Sequence, residues 1–187
     1  MRVLLAGLLL LPVACSGAQA GPLAYERSET QTAAKLTLTS DAFQPGAAIP
    51  VHFSAYGEDV SPPLAWTGAP AGTRSFVLLV EDPDATSAKP YVHWMAWNIA
   101  GERTNLPEAV AESAPDIVQG RNNHGDNAWF GPRPRGGSAH HYWFQLFALD
   151  TALTLPMTAS RNDVLKAMDG HVIAAGQLVG MFAKPAG

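Results

Sequence analysis

The chain has 187 residues, 47% of them hydrophobic, a formal net charge of -4 and a single cysteine. That length holds one domain with a sizeable core, and the mild charge, without any Lys/Arg run or basic helix, excludes a nucleic-acid footprint. Its 17 glycines and 15 prolines, with few long helical patterns, point to a turn-rich β protein.

Residues 1–20 have the build of a secretory leader: one basic residue, an apolar run from Val3 to Val13, and small residues ending in Ala18-Gln19-Ala20, with a cut expected after Ala20. The apolar run is too short to span a membrane as a resident helix, so no stable membrane insertion of the mature chain is expected. The alternative is a lipoprotein anchored through Cys15, since Leu11-Pro12-Val13-Ala14-Cys15 loosely resembles a lipobox, with Pro12 where Leu is usual. Both readings export the protein, to the periplasm or beyond. Cutting after Ala20 removes the cysteine, which leaves an exported domain stabilised by its core alone.

Residues 21–34 are small and polar without periodicity and read as a flexible linker to a single domain over 35–187. Residues 35–39 alternate, with Leu36 and Leu38 on one face, and predict a first strand. After a turn at Pro45-Gly46, residues 49–56 predict another strand, with Ile49, Val51, Phe53 and Ala55 on one side. Leu64, Ala65 and Trp66 form a short buried segment beyond the Pro62-Pro63 pair. Residues 76–80 are apolar on both faces, as a central strand covered from both sides would be. That strand must end at Asp82-Pro83-Asp84, because Pro83 cannot donate to a ladder and biases the preceding residue to extended geometry.

A further strand is predicted over 92–99, opening with His93. Periodicity then disappears from 100 to 139. The second half of this stretch carries Trp129, Phe130 and three arginines, which predicts an ordered loop packed on the sheet. Residues 140–149 are the clearest strand: His140, Tyr142, Phe144, Leu146 and Ala148 share one face, and His141 must point the other way. Residues 160–168 predict a helix, with Ser160 and Asp163 in a capping pattern, an apolar stripe of Val164, Leu165 and Met168, and a stop at Gly170. The last strand runs over 172–182, where Gly176 and Gly180 signal a bulge or a close backbone approach.

Asp82, Asp84, His93, His140 and Tyr142 are the candidate binding residues. Each alone reads more readily as structure: an Asp before Pro as a turn former, a strand-end His as a satisfied one, an alternating Tyr as core. Their combination offers imidazole and phenol donors beside carboxylates at strand ends, where one pocket can collect them. Bare carboxylates repel anions, so a phosphate site here needs Asp82 or Asp84 paired with a histidine or protonated.

These residues, with Ser61-Pro62-Pro63-Leu64, Trp66, the DPDA of 82–85, His93-Trp94, Asn98, the 136–144 segment and Gly170-His171-Val172, make the chain resemble the phosphatidylethanolamine-binding protein family, in its bacterial Raf-kinase-inhibitor-like branch. The resemblance spans about 36–182. It implies a mainly β, sandwich-like fold with a large central sheet and a few short helices, including one near the C-terminus. It also implies an anion pocket for phosphate-type headgroups made of Asp82, His93, His140 and Tyr142, with Asp84 supporting and Pro134 in the wall. The chain departs from the family pattern at Thr86, at Pro134-Arg135 and at His140-His141-Tyr142; Arg133 and Arg135 either strengthen anion binding or, the preferred reading, are solvated.

The function expected is that of an exported binding protein for a small anionic ligand, able to modulate a protein partner, without catalytic activity or cofactor. Protease inhibition is the first alternative. A hydrolase is the second, but Gly-Gly-Ser138-Ala139-His140 is not a nucleophile elbow, and a zinc site from Asp82, His93 and His140 lacks any supporting spacing.

Overall fold

The computed structural model describes residues 21–136 and 138–186. Its strands are β1 (Thr37–Thr39), β2 (Leu64–Thr67), β3 (Ser75–Asp82), β4 (Tyr91–Ala100), β5 (Asn105–Leu106), β6 (Val118–Gln119), β7 (His140–Leu149) and β8 (Val172–Phe182), with one α-helix, α1 (Arg161–Met168), before the last strand. They form two antiparallel sheets, three-stranded β1-β2-β5 and five-stranded β6-β4-β3-β7-β8, with β3 at the centre of the larger. The expected mainly β architecture with a helix near the C-terminus is what the chain adopts. Residues 1–20, where a leader is expected, lie outside the described residues.

Strand β3 is buried along its whole length, and its alternation feeds two cores. Phe76, Leu78 and Val80 point into a front core with Trp94, Phe144, Leu146 and the small sheet's Leu38, Leu64 and Trp66. Val77 and Leu79 point into a back core closed by Val164, Leu165 and Met168 of α1. Each fully buried side chain of this size stabilises the fold by roughly 1.5–3 kcal/mol, which is why a thiol-free domain can stand on its core. Helix α1 starts where the capping pattern places it: the Ser160 side chain accepts from the Asp163 backbone N–H while the Asp163 carboxylate accepts from Ser160.

Two expectations are corrected. Residues 49–56 do not form a strand: Val51–Phe53 is a single 3-10 turn, with Ile49 and Phe53 buried but Val51 47% exposed. Pro50 removes the donor a ladder would need in mid-segment, so only the residues before it run beside β8, through a bridge between Ala48 and Met181. Residues 21–34 are not a free linker either. Two short 3-10 turns, Ala24–Glu26 and Ser28–Thr30, pack on the back of the large sheet, with Ala24 fully buried. They dock through backbone donors: Ala24 N–H to Glu81 Oε2 (2.8 Å) and Tyr25 N–H to Gln145 Oε1 (2.7 Å). A segment held by its backbone needs no apolar periodicity, so none was there to read.

At Gly176 and Gly180 the choice between bulge and close approach falls to the latter. A Cβ on Gly176 would lie 2.5 Å from the Leu36 carbonyl oxygen, and one on Gly180 equally close to the Ile49 side chain. The second half of the long stretch after β4 packs on the sheet as expected over its described residues. The stretch gains two short strands, β5 and β6, and buries Trp129, whose indole N–H donates to the Phe53 carbonyl.

Candidate ligand-binding site

The front face of the large sheet ends in a cavity of about 720 Å³, and β3, β4 and β7 each deliver a residue to it. Asp82 is the last residue of β3, on the face of Phe76, Leu78 and Val80. His140 and Tyr142 come from β7 on the matching face, as the alternation requires. His93 arrives differently. Val80 pairs with Trp94 and Glu81 with Val92, so His93 is the extra residue of a β-bulge. The bulge turns two successive residues to the same side: Trp94 into the front core and His93 against Tyr142, ring centroids 5.0 Å apart.

Asp82 is buried and divides its oxygens. Oδ1 accepts from the backbone N–H groups of Asp84 (2.8 Å) and Ala85 (3.1 Å), which folds the loop after Pro83. Oδ2 accepts from His140 Nδ1 (2.7 Å) and stands 4.0 Å from His93 Nε2. Burial pushes the Asp82 carboxyl up, with the His140 hydrogen bond pulling against it. His93 Nδ1 is 2.6 Å from the Phe130 carbonyl oxygen. A carbonyl can only accept, so Nδ1 carries a proton and, in the neutral ring, Nε2 presents a lone pair. Burial pushes the His93 imidazole down to about 4, and the nearby His140 adds to this.

The Tyr142 hydroxyl is buried and makes no hydrogen bond. Burial, and then the Asp82 charge, push it far up, so it remains a donor. Trp66 and Trp97 also carry unpartnered buried N–H groups among the described residues, but of the three residues only Tyr142 lines this cavity.

Four of the expected binding residues, Asp82, His93, His140 and Tyr142, therefore meet in one place, and Pro134 lines the wall, its carbonyl accepting from Tyr56 (2.6 Å). Asp84 does not line the cavity. It faces outward, where one carboxylate oxygen accepts from both the backbone N–H and Nδ1 of His141 (2.7 Å each). That pair lies on the side of β7 opposite His140, as the alternation required of His141. Arg133 and Arg135 are exposed, as expected for solvated side chains, but both line the cavity together with Lys184. No ion pair holds any of these three among the described residues.

Sequence reasoning missed Tyr56, Tyr91, His124 and Lys184 as lining residues. Phe130 was noted only as a packing residue, yet it is sandwiched between His93 and His124, nearly parallel to both. Nothing local in the sequence flags Lys184; it reaches the cavity because β8 pairs with β7 until Phe182 stands opposite His140.

The described residues hold no group of three or more His, Cys, Asp or Glu placed for a metal ion. No helix among them is long and apolar enough to cross a membrane.

The profile of the family described as phosphatidylethanolamine-binding protein matches residues 39–183. The chain belongs to this family. It is 41% identical over 152 residues to a UPF0098 protein of Methanothermobacter thermautotrophicus, covering 80% of this chain and 99% of that relative. Among solved structures it resembles the phosphatidylethanolamine-binding protein homologue CT736 of Chlamydia trachomatis (34% identity, TM-score 0.75, 82% of this chain and all of that one). It also resembles E. coli YbcL, a member of the mammalian family (29% identity, TM-score 0.76, 81% of this chain and all of that one). The family match spans the cavity's strands from β3 to β8, so the site is built on the shared fold.

Proposed function

We propose that this phosphatidylethanolamine-binding-protein-like chain is an exported, non-catalytic binding protein whose pocket holds the anionic end of a small phosphate-bearing ligand. The observation that carries this reading is the Tyr142 hydroxyl, a buried donor without a partner at the floor of a cavity rimmed by Arg133, Arg135 and Lys184. An unmade buried hydrogen bond is costly, and an oxyanion satisfies it. The rim cations favour a negative ligand at the mouth.

Binding is favoured over catalysis by what the lining lacks. Among the described residues it includes no serine or cysteine, and Ser138 stands outside it. Export rests on the composition of residues 1–20 alone.

The test is a titration of the purified protein with glycerophosphoethanolamine and with inorganic phosphate, followed by the ring resonances of His93 and His140. Both are expected to shift together at saturation. Tyr142→Phe is expected to weaken binding roughly 10-fold or more, the worth of one hydrogen bond to a charged group. Resonances that stay put at saturating ligand would remove the anion-pocket reading.

A further inference from the structure

The cavity floor is short of donors for an anion site. His93 Nδ1–H is held by Phe130, His140 Nδ1–H is held by Asp82, and the groups that remain are the Tyr142 hydroxyl donor, the Nε2 lone pairs of the two neutral imidazoles and a carboxylate oxygen. A fully ionised oxyanion hydrogen-bonded to Tyr142 would bring its other oxygens against His93 Nε2 and Asp82 Oδ2, acceptor against acceptor. One proton added to that pair turns the repulsion into a charge-assisted hydrogen bond.

Resting on the anion-pocket reading, we infer that the site binds an oxyanion together with one proton, taken up at the Nε2 atom of His93 or carried in by the ligand. A phosphodiester has no proton to bring. Its binding takes one from solution to form the Nε2–H, which then donates to a ligand oxygen. A phosphate monoester in its hydrogen-phosphate form supplies the proton itself, as a P–O–H that donates to the same pair while His93 stays neutral. The pocket therefore discriminates between the two ligand classes by pH.

The groups facing His93 are Asp82 from β3, His140 and Tyr142 from β7, Tyr91 from its own strand and His124 across Phe130, with Arg133, Arg135 and Lys184 lining the same cavity. Of these, His140 is the other base able to take the proton, at its Nε2, because its Nδ1 is committed to Asp82; replacing each histidine in turn separates the two. The free His93 imidazole stays neutral down to about 4, so the proton bound in the complex is absent from the free protein over the working range. Linkage then sets the sign: affinity for a diester rises as pH falls, about tenfold per pH unit for one proton.

The experiment measures dissociation constants of dimethyl phosphate and methyl phosphate by NMR from about pH 7.5 to about pH 5, the ester proton of the latter titrating near 6. Dimethyl phosphate is expected to tighten about tenfold per unit throughout. Methyl phosphate is expected to tighten only down to about pH 6 and then level off, because below that it arrives already protonated. His93→Gln, which keeps an amide donor for the Phe130 carbonyl, should bind dimethyl phosphate without pH dependence, and His140→Gln should retain it.

Dimethyl phosphate that binds with the same affinity at every pH overturns the inference, and so does a slope that survives in His93→Gln or vanishes in His140→Gln. If His93→Gln does not fold, the Nε2 resonance of the unmodified protein decides: it must move to the protonated position when dimethyl phosphate binds. Binding of neither ester at any pH removes the anion pocket itself.

Discussion

Glu81 and Asp82 are consecutive acids on the central strand, both buried, facing opposite sides of one sheet. On the back face, Glu81 is fully matched. Arg161 pairs with it through Nε and Nη2, Gln145 Nε2 donates at 2.9 Å, and the Ala24 backbone N–H donates at 2.8 Å. On the front face, Asp82 satisfies the loop and His140 but leaves Oδ2 beside an imidazole lone pair and an unpartnered phenol. A structural buried charge and a binding one differ in what is left unbonded around them. The first exhausts its hydrogen-bonding capacity within the chain, and the second shares a cavity with groups that have not.

The largest effect is expected at Glu81. Glu81→Ala leaves Arg161 facing the sheet without its partner and the Ala24 N–H without its acceptor, and it is expected to cost about 3–5 kcal/mol in urea unfolding, the range for removing one member of a buried pair. The pocket's ligand titration should survive in the folded fraction. A loss under about 1 kcal/mol would mean that the back-face network does not hold the sheet and the 21–34 segment together.

The second test uses acid. His93 is lowered to about 4 in the folded chain against 6.5 for the free side chain, so between these values the unfolded state binds a proton that the folded state refuses. Stability is therefore expected to fall by about 3 kcal/mol as pH drops from 6.5 toward 4, then to flatten, with His93→Gln abolishing that component. Asp82, raised by burial, acts with the opposite sign at the acid end, since the folded chain accepts its proton more readily than the unfolded one. Denaturant midpoints of both proteins across this window give the answer.

The smallest effect is expected at Tyr142. Tyr142→Phe deletes a hydroxyl that makes no bond in the free protein, so stability should hold or rise by up to about 1 kcal/mol even as ligand affinity falls. A destabilisation above about 1 kcal/mol would show that the hydroxyl is structurally engaged and remove the contrast with Glu81.

Much of this was legible beforehand, for identifiable reasons. Strand β7 could be placed residue by residue because a period of two across ten residues admits one register for the buried face, and that register put His140 with Tyr142 and turned His141 away. The DPDA turn was legible because proline ends a ladder. His93 was legible as a strand-opening histidine, but the bulge that turns it to the front lies in the pairing of β3 with β4 and not in either strand alone. Asp84 lies outside the cavity because one of its carboxylate oxygens is drawn to His141, a partner 57 positions along the chain. The docking of residues 21–34 escaped because backbone donors carry no side-chain signature.

The amino-acid order on its own sets the covered central strand, the long strands β4, β7 and β8, the capped helix, and an acid, two histidines and a tyrosine on strands, since each follows from local periodicity or local chain chemistry. Only the tertiary structure decided which proton each histidine has already given away, which acid is spent and which is left available, and which cations stand at the mouth. Those properties depend on neighbours brought within hydrogen-bonding distance by strand pairing across tens of residues, and no local pattern encodes them.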